Sequence, residues 1–170
     1  MTNRRLLIFL FLLTATTFTY KAGAATAGGS LCGPGEVVIF SCPLKGSNKI
    51  VSLCSSPKLT KTEGYLQYRF GLPTKVELEY PTERRESQKS FRYSHYFRAQ
   101  VDLTEISFTS GNFNYTVFDS YNGEERPAVS DQGVTVSATA GKKEVTHSCR
   151  GRAQAKLGVL TEVLENTSEP

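Results

Sequence analysis

His147 stands two residues before Cys149, and a thiol within reach of an imidazole base is how a cysteine nucleophile is activated. On a strand, however, residues i and i+2 share a face without close contact, and a bridged cysteine has no thiol to offer. His95 falls in the alternating run Phe91, Tyr93, His95, Phe97, where a packed, hydrogen-bonded histidine is expected. No serine sits in a G-x-S-x-G elbow. No H-E-x-x-H or clustered metal-ligand set occurs, and no glycine-rich phosphate cradle. Glu77 and Glu79 share a strand face, and Glu124-Glu125 sit in a turn. Two carboxylates flanking a glycosidic bond could hydrolyse it, so a carboxylate-dependent hydrolase stands as one alternative function. Solvated surface charge is the plainer reading. The expectation is a non-catalytic protein that needs no cofactor and no metal.

Four cysteines remain: Cys32, Cys42, Cys54 and Cys149. Their spacings lack the close C-x2-4-C pairs of structural zinc sites, and an even count in an exported chain reads as two disulfides. Three connectivities are open. At least one bridge is expected to tie the N-terminal hairpin to Cys149, unless Cys149 pairs between molecules. Export is read from the N-terminus. Arg4 and Arg5 precede an apolar run over residues 6–18, and Ala22-Gly23-Ala24 is a small-x-small cleavage pattern. The run is shorter than the roughly 20 residues a membrane-spanning helix needs. Residues 1–24 are therefore expected to be a signal peptide, 25–31 a linker, 32–166 a single β-rich domain and 167–170 a disordered tail. The mature protein would be periplasmic or secreted, without a membrane span.

Charge limits the partners. The chain has 20 Lys+Arg and 16 Asp+Glu. Arg4, Arg5 and Lys21 would leave with the signal, so 17 cations remain against 16 acids, and nucleic-acid binding loses its electrostatic support. The best candidate surface lies over residues 84–98. There Arg92, Tyr96 and Arg98 share a strand face, and exposed Arg with Tyr is typical of interfaces. An unidentified protein or an anionic envelope polymer would be the partner.

The elements that would position these residues are strands. Residues 37–54 read as a hairpin with a six-residue loop. In G-Y-L-Q-Y-R-F-G, residues 64–71, Leu66, Tyr68 and Phe70 face the core, as do Val76, Leu78 and Tyr80 of the next run. Pairing Phe70 with Val76 keeps apolar residues opposite each other and places Arg69 opposite Glu77 as a structural pair. Further strands are expected over 91–98, 102–108, 113–121, 133–138 and 144–149, with turns at Ser110-Gly111-Asn112 and Asn122-Gly123. The fold class is all-β: an antiparallel β-sandwich or barrel of about eight strands. Leu157, Leu160, Val163 and Leu164 repeat at helical spacing, which predicts a short C-terminal helix over 153–164.

The segments F-S-C (40–42), K-I-V-S-L-C (49–54), Y-L-Q-Y-R-F-G (65–71) and E-L-E-Y-P (77–81), with N-Y-T-V-F (114–118) and a final Cys149, resemble a family of exported bacterial proteins with no established activity. The resemblance covers most of the mature chain and implies a periplasmic or secreted β-rich protein. It carries no functional residue over. Ser110-Gly111 followed by Tyr115 is similar to the Ser-Gly-x-x-Tyr loop of periplasmic lysozyme inhibitors, with the tyrosine one residue late. That similarity implies a second alternative function, a proteinaceous inhibitor of a lysozyme-type hydrolase acting through Ser110 and Tyr115.

Overall fold

Apolar and polar residues alternate along most of this chain, and alternation with period two gives strands that bury one face. The computed structural model describes residues 29–141 and 143–168. Two sheets pack face to face. The first has the order β10 (Gln154–Ala155), β1 (Val37–Pro43), β2 (Ile50–Ser55), β3 (Leu66–Leu72), β4 (Lys75–Tyr80). The second has the order β11 (Glu165–Asn166), β5 (Arg92–Arg98), β6 (Val101–Ser110), β7 (Phe113–Asn122), β8 (Val129–Ala138), β9 (Glu144–Ser148). All pairings are antiparallel except β11 with β5. Phe40, Leu53, Leu66 and Tyr68 from the first sheet meet Ile106, Phe108 and Val117 from the second, and Phe91 just before β5, in one buried core.

The expected signal peptide and residues 25–28 of the expected linker lie outside the described residues, as do residues 169–170. Residues 29–31 are held against the first sheet. Ser41 Oγ donates to the Gly29 carbonyl at 2.9 Å, and the Leu31 N–H donates to Ser52 Oγ at 3.0 Å. The expected tail is also held at its start, where the Thr167 N–H donates to the Tyr93 carbonyl.

The expected C-terminal helix does not form. Gln154–Ala155 extends the edge of the first sheet, Leu157–Leu160 is a single 3-10 turn, and Glu165–Asn166 pairs with β5. Leu157, Leu160 and Leu164 are buried all the same. A helix of twelve residues has little stability of its own, whereas both strand segments satisfy backbone groups on open sheet edges.

The expected pairing of Arg69 with Glu77 is also corrected. A two-residue turn sets Leu72 opposite Lys75 and Gly71 opposite Val76. Continuing in step would place Phe70 against Glu77. A bulge between Phe70 and Gly71 leaves Glu77 unpaired in the ladder, so Phe70 faces Leu78 and Arg69 faces Glu79. Gly71 permits this at φ 155°, where a Cβ would lie 2.3 Å from the Lys75 carbonyl oxygen. Val76, expected in the core, is exposed as a result.

Arg69 is not on an open outer face either. Residues 29–36 fold over that face, and the Arg69 side chain is 5% exposed. Its Nε donates to Glu79 at 2.7 Å, Nη1 to the Leu31 carbonyl and Glu36, and Nη2 to Glu36 and Gln67 at 2.9 Å each. Burial raises the Glu36 pKa, but hydrogen bonds from Arg69, the Gly33 N–H and the Tyr65 hydroxyl outweigh it and hold the carboxyl at about 2.

Two disulfides close the structure. Cys32–Cys54 fastens the N-terminal segment to β2, and Cys42–Cys149 joins β1 to the residue after β9, as expected of a bridge from the hairpin to Cys149. Leu44 and Cys149 also form an isolated antiparallel bridge there, so the sheets meet along one corner.

Two measurements check this account. Replacing Cys42 and Cys149 with alanine opens a loop of 107 residues and should cost about 5 kcal/mol in denaturant unfolding under the chain-entropy model. Because the folded Glu36 pKa lies below its ordinary value of 4.5, its contribution is full above about pH 4.5 and lost as pH falls towards 2. Thermal melts should show that loss. Glu36→Gln should remove this part of the acid dependence and cost about 3 kcal/mol at neutral pH, since it strips a buried guanidinium of its main partner.

Candidate binding cleft between the sheets

The core-facing side of the second sheet can be read across its ladder in rows. Val117 and Val134 are opposed and buried. One row outward, Tyr115, Val136 and Val145 are opposed, and beyond them Phe113 faces Ala138. Burial falls along this series, and Phe113 and Val145 are exposed. The first sheet answers with Tyr68 and Phe70 on β3 and Leu78 on β4. The two sheets part here and enclose a cleft of about 590 Å³ with apolar and aromatic walls. That size and lining are those of a small-molecule site.

Tyr68 and Tyr115 at the floor rest on a column of aromatic rings. Tyr115 stacks on Phe108 at 4.9 Å between ring centres, Phe108 stacks on Tyr80 at 4.6 Å, and Tyr68 leans on Phe108 at 5.0 Å. Burial, with a smaller effect of Tyr115, pushes the Tyr68 hydroxyl upward, so it stays uncharged. Polar groups sit at the lips. On one side Lys49 lies 5.0 Å over the Phe70 ring and bonds Glu77 at 2.6 Å. On the other, Lys143 and His147 line the opening, and Lys143 has no carboxylate within ion-pair distance among the described residues.

Of the residues singled out in the sequence, Tyr115 belongs to this cleft. It is turned inward onto Phe108, not outward off the turn. Ser110 lies at the end of β6, opposite Phe113, and Gly111 at φ 58° makes the turn between them. Arg92 and Arg98 lie at opposite ends of β5. Arg92 Nε is 3.2 Å from Glu165, and Arg98 pairs with Glu124, so both guanidinium charges are met by carboxylates. Tyr96, between them on the same face, is exposed. His95 is not packed as expected. Its ring is exposed and bonds Asp102 at 3.0 Å, because the first sheet does not reach that far along β5.

Of the four carboxylates read as possible hydrolytic pairs, Glu77 is paired with Lys49, Glu79 with Arg69 and Glu124 with Arg98, while Glu125 accepts from Asn122 at 3.2 Å. Cys149 is bridged to Cys42, so His147 has no thiol beside it. Cys32, Glu36 and Cys54 are the one cluster of metal-ligand types among the described residues. Both sulfurs form a disulfide and Glu36 is committed to Arg69, which leaves no ligand set there.

The cleft walls Val136, Ala138 and Val145 went unread as a site. Their alternation marks one apolar face but carries no sign that the opposite sheet stops short of it. If Tyr115 supports the floor by stacking, Tyr115→Ala should destabilise by about 1–3 kcal/mol in denaturant titration. Tyr115→Phe should lie within about 0.5 kcal/mol of the parent, since the hydroxyl makes no protein hydrogen bond among the described residues. A scan against protein-family models, a search of curated proteins and a search of solved structures return no match to this chain, so this geometry is what speaks to its function.

Proposed function

We propose that this chain is a small exported binding protein, without catalysis of its own, that holds an amphipathic ligand in the cleft between its sheets. The observation that carries the reading is the pairing of apolar, aromatic walls with Lys143 at the lip, which has no ion-pair partner among the described residues. An acyl or aromatic body would bury surface against Val136, Leu78 and Tyr115, at roughly 25 cal/mol per Å². An acidic head group would remain at the water boundary beside Lys143. The two disulfides support an oxidising compartment. No helix among the described residues is long and apolar enough to cross a membrane.

An undecanoic acid carrying a dansyl group tests this. Titration into purified protein should give saturable, one-to-one fluorescence enhancement. Ala138→Trp, which fills the mouth of the cleft, should abolish it while leaving the melting temperature near the parent's. Lys143→Ala should weaken it by about fivefold, on the order of 1 kcal/mol for an exposed ion pair. Absence of saturable binding to the parent protein, or undiminished binding to Ala138→Trp, refutes the proposal.

A further inference from the structure

The second sheet also outlasts the first at the end remote from the cleft. Directly opposed residues of an antiparallel ladder share a face. Tyr93, Ile106, Val117 and Val134 make one such row, and all four are buried beneath the first sheet. The next row outward is His95, Thr104, Asp119 and Gln132, and the last is Phe97, Asp102, Tyr121 and Ser130. These two rows continue the core face past the buried row, with Thr104, Asp119 and Gln132 half-buried and His95, Phe97 and Tyr121 exposed. Phe97 is 71% exposed and Tyr121 46%.

A polar pocket of about 510 Å³ opens beside Tyr121, walled by Asp119, Ser130, Gln132 and, from the segment after β9, Arg152. Neither Asp119 nor Arg152 forms an ion pair among the described residues. Gln132 Oε1 accepts the Ala153 N–H at 2.7 Å, which fixes that amide and leaves its NH2 to donate.

From this juxtaposition we infer a second site, independent of the cleft, in which the overhanging end of the sheet binds a neutral pyranose chain. A sugar ring presents a face of C–H groups that packs on an aromatic ring, and a rim of hydroxyls that both donate and accept. Phe97 and Tyr121 lie two strands apart, about 9.6 Å between backbones, a span on the scale of a disaccharide. Asp119 supplies acceptors only, while Gln132 and Arg152 supply donors, which together match vicinal hydroxyls. The same residues disfavour other occupants. An apolar partner seated on the two rings would have to desolvate the carboxylates of Asp102 and Asp119 beside them.

Isothermal titration of the parent protein with cellopentaose, N-acetylchitopentaose and maltopentaose, at millimolar sugar, tests the assignment. Binding of at least one is expected. Phe97→Ala and Tyr121→Ala should each weaken it by about tenfold with the melting temperature unchanged, and Ala138→Trp in the cleft should not affect it. Lack of binding to all three sugars, or binding indifferent to both aromatic substitutions, overturns the inference. So does a homodimer in solution that the Phe97→Ala/Tyr121→Ala pair dissolves, because the rings would then be an interface between copies.

Discussion

A guanidinium buried under the first sheet's outer face needs every one of its five N–H donors matched, since an unmatched buried charge costs several kcal/mol. Arg69 meets that demand with Glu79, the Leu31 carbonyl, both oxygens of Glu36 and Gln67. These acceptors come from three parts of the chain, so satisfying one side chain fixes their relative positions. Gln67 passes the constraint on, through its bond to the Pro81 carbonyl, to the loop that crosses between the sheets. The N-terminal segment becomes a cover layer because Arg69 and Glu36 cannot be left apart in a dry environment. The Cys32–Cys54 bridge then makes that cover permanent.

Strand existence was legible because alternation is a local property. The hairpin over residues 37–54, the turn at Ser110–Asn112 and the run from Gly133 to Ala138 needed only their own residues. Register was less legible, because apolar matching allows steps of two. Phe70 fits opposite either Val76 or Leu78, and the choice turns on Gly71 beside a turn of only two residues. Gly71 stands in the sequence, but the two-residue length of the turn shows only in the folded register. The C-terminal segment misled because leucines three and four apart suit a helix and also suit a 3-10 turn between two short strands. Nothing local separates the two. The deciding factor is the open edge at β1 and β5, which exists only in the assembled fold.

The two candidate sites have one cause. The central strands of the larger sheet run to ten residues against at most seven in the smaller, so its inner face emerges at both ends. At one end the exposed rows are Val, Ala, Phe and Tyr, and the opposing sheet still forms a second wall. At the other the rows change to His, Thr, Asp and Gln between aromatic rings, and the wall beside them is the segment after β9, not a strand of the opposing sheet. Sequence alternation marked all these residues as core-facing, which is correct for the direction of the side chains. Whether a core is there to receive them depends on the length of the other sheet. Tyr115 and His95 show the two outcomes, one stacked in a cleft and the other bonded to Asp102 in solvent.

The Cys42–Cys149 bridge encloses everything from β2 to β9 in a single covalent ring. A protease that cuts once within that ring, for instance in the exposed loop over residues 124–128, produces a nicked molecule and no fragments. Both pieces remain joined at the corner where the sheets meet, each strand still beside its partner. Such a domain would outlast its first cleavage in one piece, and reduction of one bond would decide when it finally comes apart.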